Sequence, residues 1–313
     1  MNFIGIDGVV FSAPDLGEAR RFYADWGLDE THRGEDRSVF AAENGGEVTI
    51  VSADSADLPA PPDPNSNFRE LIWGVESEAD LEAVAEELGK DRTVSWSDGT
   101  VRTTDPNGIA IAFRVARQTR ALQSPTTPYN SPGSRQRVDT PATFYNRARP
   151  MRIGHIVFAV SDMEAGEEFY MRRLGFRTSD RYDSGRAVFL RCAPVAEHHT
   201  IFFFNTRGGK TDFQHLAFEV KDIHEVFGGG IHMRDLGWET AVGPGRHPVS
   251  SAYFWYFDCP NGGAVEYYSD SDFVTDAWQG RSIDGLRFSE WHLRDGVGPL
   301  EGGMVARSEK SGT

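Results

Sequence analysis

Histidine is the residue type best suited to metal and proton chemistry, and it is concentrated in the second half of this 313-residue chain. Eight of the nine histidines lie after residue 150, and the first 150 residues contain only His32. A neutral imidazole is a common metal ligand, and its pKa near 6.5 lets it carry protons at neutral pH. We therefore expect the chemistry in the second half.

Two histidines and one glutamate have the spacing of a metal-binding set. His155 lies in GHIVFAVSD, His215 in FQHLAFEVKD and Glu266 in GGAVEYY, and all three segments have the apolar pattern of strands. Two histidines and a carboxylate occupy one face of a metal ion and leave its other positions open, as in non-haem Fe(II) oxygenases. We predict that these three side chains are metal ligands on neighbouring strands.

An internal repeat predicts the fold. The segment VVFSAPDLGEARRFYADWGL in the first half matches IVFAVSDMEAGEEFYMRRLGF in the second. Each copy predicts a strand, a helix that begins after an Asp N-cap (Asp15, Asp162) and an end of that helix at a glycine (Gly27, Gly175). A second pair, FRELIWGVESEADLEAVAEELG and FQHLAFEVKDIHEVF, follows the same order. The chain is therefore expected to contain four strand–helix–strands modules.

Composition and the repeat together predict the domains. We expect a first domain over residues 1–116, a Pro/Ser/Thr/Arg-rich linker over 117–150, a second domain over 151–275 and an extension over 276–313. The triple glycine Gly228–Gly230 predicts that the fourth helix is weak or broken.

The first half lacks the metal set. Gly8, Glu70 and Ala112 stand at the positions that correspond in the repeat to the three predicted ligands. A single glutamate cannot hold a metal against water, so the first domain is expected to be metal-free and structural.

Charge and composition exclude several partners. The formal net charge of −15 argues against nucleic acid, whose phosphates need clustered Lys and Arg. No apolar stretch reaches the roughly 18 residues of a membrane span. Two cysteines cannot make a disulfide framework, which fits a reducing compartment. We expect a soluble, cytoplasmic protein.

The repeat, with histidine opening two modules and glutamate on the last strand, resembles the vicinal oxygen chelate superfamily. The second half looks like the type I extradiol dioxygenases, which cleave catechol rings. The resemblance implies an α+β fold of two domains, each built of two βαβββ modules around a cup-shaped sheet. It also implies Fe(II), or Mn(II), in the second domain only, a catechol and O2 as substrates in aromatic catabolism, and a homo-oligomer. It leaves open which catechol is cleaved and on which side of the diol.

The resemblance also implies catalytic residues. His199 matches an acid–base residue beside the oxygen site, with His198 as its rival in the segment EHHT. His247 would form a hydrogen bond with a catecholate oxygen, and Tyr256 would hold or receive its proton. Tyr256 lies in the aromatic run YFWYF, so a place in the core is the alternative.

The rest of the substrate pocket is less well specified by the sequence. Ser250 or Ser251 is expected to offer a hydroxyl near the substrate, and His198 and Phe202 are further candidates. Phe202 to Phe204 alternate along a strand, so they could equally be core residues. The C-terminal segment SIDGLRFSEWHL could cover the mouth of the funnel or cap a sheet edge.

Two other functions stay open. One is a different metalloenzyme of the superfamily, such as an isomerase, an epimerase, a thiol transferase or a 4-hydroxyphenylpyruvate-type dioxygenase. The other is a non-catalytic protein that binds a small molecule. Neither needs His199, His247 and Tyr256 together with the three ligands, so the sequence favours ring cleavage.

Overall fold

A computed structural model gives the fold, and it describes residues 1–55, 58–117, 128–182, 185–205, 209–283 and 288–293. In the first half the strands and helices are β1 Phe3–Ala13, α1 Leu16–Trp26, β2 Asp29–Arg33, β3 Arg37–Ala41, β4 Glu47–Ser52, β5 Phe68–Val75, α2 Glu78–Leu88, β6 Ser95–Ser97, β7 Thr100–Thr104 and β8 Ala110–Val115. A short hairpin follows, formed by β9 Asn130–Ser131 and β10 Ser134–Arg135.

The second half repeats this order of elements. Its elements are β11 Arg152–Val160, α3 Met163–Glu168, a π-helical turn Phe169–Arg173, β12 Arg177–Tyr182, β13 Ala187–Arg191, β14 Ala196–Glu197, β15 Ile201–Asn205, β16 Asp212–Glu219, α4 Ile223–Asp235, β17 Thr240–Arg246, β18 Tyr253–Asp258 and β19 Ala264–Ser269. Three short strands come last, namely β20 Phe273–Val274, β21 Arg281–Ile283 and β22 Trp291–His292.

The two large sheets have the same topology. The first has the strand order β2-β3-β4-β1-β5-β8-β7-β6, and the second contains β12-β13-β15-β11-β16-β19-β18-β17 in the equivalent order, with β21 and β22 added at its edges. In each sheet the first strands of two βαβββ modules, β1 with β5 and β11 with β16, pair antiparallel at the centre. The predicted α+β fold of four βαβββ modules is confirmed.

Helix ends follow the predicted chemistry. Asp15 accepts a hydrogen bond from the Glu18 N–H at 2.9 Å, and Asp162 accepts one from Ala165 in the same way. A side-chain oxygen at this position satisfies a backbone donor that the first helical turn leaves unpaired. Gly27 ends α1 with φ +100°, a conformation that favours glycine.

The expectation of a weak or broken fourth helix at Gly228–Gly230 is wrong. α4 runs without interruption over Ile223–Asp235, and the three glycines are buried in it. A Cβ added to Gly230 would overlap the Trp255 indole ring on β18. The missing side chains let the helix backbone lie directly on the sheet, and this close packing offsets the poor helix propensity of glycine.

The ten-stranded sheet is strongly curved. Its two outermost strands, β21 and β22, both come from the C-terminal segment and pair with β12 and β17 respectively. Eight residue steps separate Ile283 from Trp291, and such a chain spans at most about 29 Å. Ten flat strands at about 4.8 Å spacing would put these edges about 43 Å apart. The sheet must therefore bend into a cup.

The two halves share one hydrophobic core. The Trp26 ring of α1 stacks on the Tyr267 ring of β19 with centroids 3.5 Å apart, and the Tyr267 hydroxyl donates to the Trp26 carbonyl at 2.6 Å. On the other side, Phe3 of β1 packs against Phe176. The boundaries 1–116, 117–150, 151–275 and 276–313 stay a prediction, because the core does not separate at them. In the described part of the chain, no helix is long and apolar enough to cross a membrane.

The packing of α4 gives a first prediction. Gly230→Ala should lower the free energy of unfolding by about 3 kcal/mol, because the new methyl group overlaps the Trp255 ring and forces the helix away from the sheet. Urea denaturation measures this change. Gly17→Ala, at an exposed position of α1, is the matched control and should shift stability by no more than about 1 kcal/mol. Equal effects of the two substitutions would contradict this account of α4.

Candidate metal and catalytic site

Three neighbouring strands at the centre of the curved sheet carry the predicted ligands. On β11, β16 and β19, His155 pairs with Ala217, which in turn pairs with Glu266, while His215 pairs with Val157. The Nε2 atoms of the two histidines are 3.3 Å apart, and they lie 3.1 Å (His155) and 3.4 Å (His215) from Glu266 Oε2. One ligand atom from each of the three side chains thus lies within 4.8 Å of the others.

The protonation states of this cluster suit a divalent cation. Burial alone would raise the pKa of Glu266, but its histidine neighbours, His155 first, hold it well below the usual range. Burial lowers the pKa of His215 to about 4, although Glu266 opposes the shift. A charged carboxylate beside a neutral imidazole is the form that binds metal.

The buried carboxylate has no good hydrogen-bond partner. Glu266 is 0% exposed, and neither of its oxygens accepts a hydrogen bond of good geometry from the described residues. The short nitrogen–oxygen distances therefore reflect atoms that converge on a common point rather than hydrogen bonds that satisfy the carboxylate. An unsatisfied buried charge is costly, and a cation between the three side chains would remove this cost. The donor set fits a metal ion.

The first half has the same geometry without the ligands. Gly8 pairs with Ile72, and Ile72 pairs with Ala112, as His155, Ala217 and Glu266 do in the second sheet. Glu70, the one carboxylate left at these positions, receives a hydrogen bond from Arg102 Nε at 3.1 Å. An arginine thus compensates the charge of Glu70.

His199 lies beside the cluster. Its ring centroid is 4.2 Å from that of His155, and its Nδ1 is 3.2 Å from Nδ1 of His198. Burial, followed by the neighbouring histidines, lowers the pKa of His199 well below its usual value. His199 is therefore neutral at neutral pH.

His247 and Tyr256 form a hydrogen-bonded pair. His247 Nε2 is 3.1 Å from the Tyr256 hydroxyl, and His247 Nδ1 is 2.8 Å from the carbonyl oxygen of Phe288. A carbonyl only accepts, so Nδ1 donates and the Nε2 of a neutral His247 carries the lone pair. Burial, followed by Glu266, raises the pKa of Tyr256 well above its usual value, so the phenol is protonated and donates to Nε2.

One cavity joins these groups. It is lined by His155, Val157, Tyr182, Phe189, His199, Phe202, His215, His247, Val249, Ser250, Tyr256 and Phe288. Of the pocket candidates from the sequence, Phe202 and Ser250 line it. His198 and Ser251 lie outside the lining. The His198 ring forms a hydrogen bond with Asp180, and the backbone carbonyl of Ser251 accepts a hydrogen bond from Arg246.

The aromatic wall divides between cavity and core. Phe203 is fully buried in the main core, whereas Phe202 packs on Phe189 at 4.2 Å and faces the cavity. Sequence reasoning missed Tyr182 and Phe189, which reach the cavity from β12 and β13 and have no chemical motif. It also missed Phe288, although the C-terminal segment was expected either to cover the funnel or to cap a sheet edge. Among the described residues of this segment, Phe288 lines the cavity, and β22 pairs with β17 at the edge of the sheet.

The low pKa of His215 gives a prediction for the metal-free protein. Between pH 6.5 and about 4 the unfolded chain holds a proton at this residue that the folded chain lacks. The free energy of unfolding should therefore fall as the pH drops through this window, by up to about 3 kcal/mol. Urea denaturation in the presence of a chelator measures the slope. His215→Gln should reduce the slope and leave the contribution of His199, whereas His232→Gln, on α4, should leave the slope unchanged. An unchanged slope in His215→Gln would refute this origin.

Known proteins resemble this chain in sequence and fold. The Glyoxalase/Bleomycin resistance protein/Dioxygenase superfamily matches residues 152–267. Metapyrocatechase 2 of Cupriavidus necator is 28% identical over 270 residues, which cover 86% of this chain and 82% of that protein.

Solved structures match nearly the whole chain. The Mn(II)-bound glyoxalase from Novosphingobium aromaticivorans superposes with a TM-score of 0.72 at 20% identity, covering 94% of this chain and 92% of its own. A halotolerant catechol dioxygenase superposes with a TM-score of 0.71 at 18% identity, covering 94% and 95%. At these identities the superpositions establish the fold. The match of residues 152–267 to the Glyoxalase/Bleomycin resistance protein/Dioxygenase superfamily bears out the superfamily resemblance.

Proposed function

We propose that this protein is an extradiol ring-cleaving dioxygenase that acts on a catechol-type aromatic and inserts both atoms of O2. Fe(II) is the proposed resident metal, with Mn(II) as the alternative. The observation that carries the proposal is that His199, His247 and Tyr256 reach the cavity that also contains the three candidate ligands. The similarity to a protein named metapyrocatechase supports the same reaction.

His155, His215 and Glu266 would hold the metal. When bound there, it would supply a Lewis-acidic, redox-active centre that brings the catecholate and O2 together. Glu266 contributes one negative charge, so a site with a divalent metal would keep one positive charge. A substrate that binds as a monoanion would make the site neutral. The three ligands lie on strands that pair directly with each other, so they form a rigid set and little reorganisation accompanies binding.

His247 and Tyr256 would manage the proton of a substrate hydroxyl. The Nε2 lone pair of His247 can accept that proton, and the Tyr256 phenol supports the charge by hydrogen bonding. The Phe288 carbonyl stabilises the resulting imidazolium through Nδ1. This pair lies near His215, whose ring centroid is 5.1 Å from that of Tyr256.

His199 would handle a proton near another ligand. Its ring lies against His155, and its neutral state lets it accept a proton and return it later in the reaction. Two proton-carrying groups beside different ligands suit a reaction in which one substrate loses a proton and another gains one.

The cavity lining favours an uncharged aromatic. Valine, phenylalanine and tyrosine side chains form most of the wall, and no Lys or Arg is among the described residues that line it. A substrate carboxylate would therefore be buried without a cationic partner. This disfavours carboxylated catechols and 4-hydroxyphenylpyruvate. Ser250 supplies the one aliphatic hydroxyl of the lining.

A glyoxalase-type isomerase is the second candidate. The fold neighbour with Mn(II) supports it, because that protein shares the architecture over nearly the whole chain. The His247–Tyr256 pair favours ring cleavage, since it is set to take a hydroxyl proton. A non-catalytic binder would have no use for an unsatisfied carboxylate in the protein core. A metal-free first half, a homo-oligomer and a cytoplasmic location also stay predictions.

Anaerobic reconstitution tests both the metal and the reaction. Fe(II)- or Mn(II)-loaded protein, mixed with O2 and catechols with and without a carboxylate, should give a coloured ring-opened product with the uncharged ones. His155→Ala, His215→Ala and Glu266→Ala should each lose stoichiometric metal, measured by elemental analysis. Glu70→Gln, at the equivalent position of the first sheet, is the matched control and should retain it. Turnover of hemithioacetals without ring cleavage would favour the isomerase.

Substitution of His199 separates chemistry from binding. His199→Asn should keep metal and catechol binding but lower kcat by about 10²–10⁴-fold, the usual contribution of an acid–base residue. Steady-state kinetics and anaerobic substrate titration measure the two effects. Wild-type kcat in this variant would rule out the acid–base role.

A further inference from the structure

A series of side chains in contact with each other connects the C-terminal segment to His199. Arg281, on β21, contacts Asp180 on β12; Asp180 contacts His198, and His198 contacts His199. None of the first three lines the cavity. This series of contacts therefore reaches His199 from outside the cavity.

Asp180 is fully enclosed and held by several donors. One carboxylate oxygen receives Arg281 Nη2 at 2.6 Å and lies 2.8 Å from His198 Nε2, while the other receives the Arg281 backbone N–H at 2.7 Å and Trp278 Nε1 at 3.3 Å. Burial alone would raise the pKa of Asp180, but the hydrogen bonds from His198 and Arg281 hold it well below the usual range. Asp180 is a carboxylate and can only accept hydrogen bonds.

The carboxylate determines the state of His198. Because Asp180 Oδ2 only accepts, His198 Nε2 must carry the hydrogen. In its neutral form, His198 therefore has no hydrogen on Nδ1. Its Nδ1 then bears a lone pair and accepts a hydrogen bond.

His198 in turn determines the state of His199. The two Nδ1 atoms are 3.2 Å apart, so the hydrogen between them must belong to His199 Nδ1. The Nε2 of His199, the nitrogen that His198 does not use, is left with a lone pair. Phe189 packs edge-on against both imidazole rings, at 5.2 Å (His198) and 5.1 Å (His199) between centroids, and restricts their rotation.

We propose that Asp180 and His198 are positioning residues that hold His199 as the Nδ1–H tautomer, and that Trp278 and Arg281 keep Asp180 in place. His199 thereby presents an accepting nitrogen to the cavity. The same logic of a carboxylate orienting a catalytic imidazole operates in serine hydrolases. This inference rests on the proposed function for its catalytic meaning, but the tautomer exists without turnover.

His198→Phe tests the proposal, because phenylalanine keeps the ring volume and removes the acceptor. Steady-state turnover should show kcat lower by roughly 10–100-fold, the scale of losing an outer hydrogen-bond partner, with KM and metal content near wild type. Asp276→Asn is the matched control. It removes the negative charge that pairs with Arg177 and Arg191 and ties the C-terminal segment to the sheet, but it leaves Asp180 untouched. Its kcat should equal that of wild type.

Nitrogen-15 NMR of the full-length metal-free protein gives a readout independent of activity. Wild type should show His199 protonated at Nδ1 and His198 at Nε2, and His198→Phe should release His199 to a tautomer mixture. Asp180→Ala provides a second variant if His198→Phe does not fold, since loss of the acceptor for His198 Nε2 should likewise release His199 to a tautomer mixture. An Nε2–H His199 in wild type, or unchanged kcat and tautomer in His198→Phe, would overturn the proposal. If no catechol is cleaved but the tautomers are as expected, the dioxygenase function fails and the positioning stands.

Discussion

The structure depends on one electrostatic constraint, a carboxylate placed in the protein core where no side chain in the described part of the chain satisfies it by hydrogen bonding. Glu266 is fully buried on a central strand, and its nearest polar neighbours are two histidine nitrogens within 3.4 Å. A buried charge is tolerated only with a compensating partner. Because His215 is neutral, its imidazole carries no positive charge that could compensate the charge of Glu266. Three features place this carboxylate where a cation could bind. They are the pairing of three adjacent strands, the curvature of the sheet and the apolar wall of the cavity.

Much of the fold followed from the sequence because the chain repeats itself. A module that buries one face of its sheet must show the same apolar alternation and the same helix caps each time it occurs, and Asp15 and Asp162 cap their helices as predicted. The helix over Gly228–Gly230 was misjudged, because intrinsic propensity ignores what lies beneath a helix. There Trp255 requires a residue without a side chain.

Only some residues of the candidate site could be predicted from the sequence, namely those whose residue type itself indicates metal or proton chemistry. His155 and His215 stand at equivalent positions on the first strands of two modules, and Glu266 lies on the last strand, so the repeat and the residue types together indicate the set. Asp180 and Phe288 carry no such signal. The first contacts His198, which lies 18 residues away in the sequence, and the second offers a backbone carbonyl, a group that every residue has. Contacts of this kind depend on how the sheet curves, which local sequence patterns do not encode.

The stack of Trp26 on Tyr267 has a consequence for the autonomy of the two halves. Tyr267 is the chain neighbour of Glu266, and since side chains alternate along a strand, its ring points away from the metal candidates and into the core shared with the first half. The first half therefore packs against the strand that carries Glu266, on the face opposite to the carboxylate. Cutting the chain between the halves would expose this aromatic surface to water and loosen that strand. We therefore expect that the second half, although it contains all the candidate chemistry, would lose stability if it were excised, because the first half completes its core.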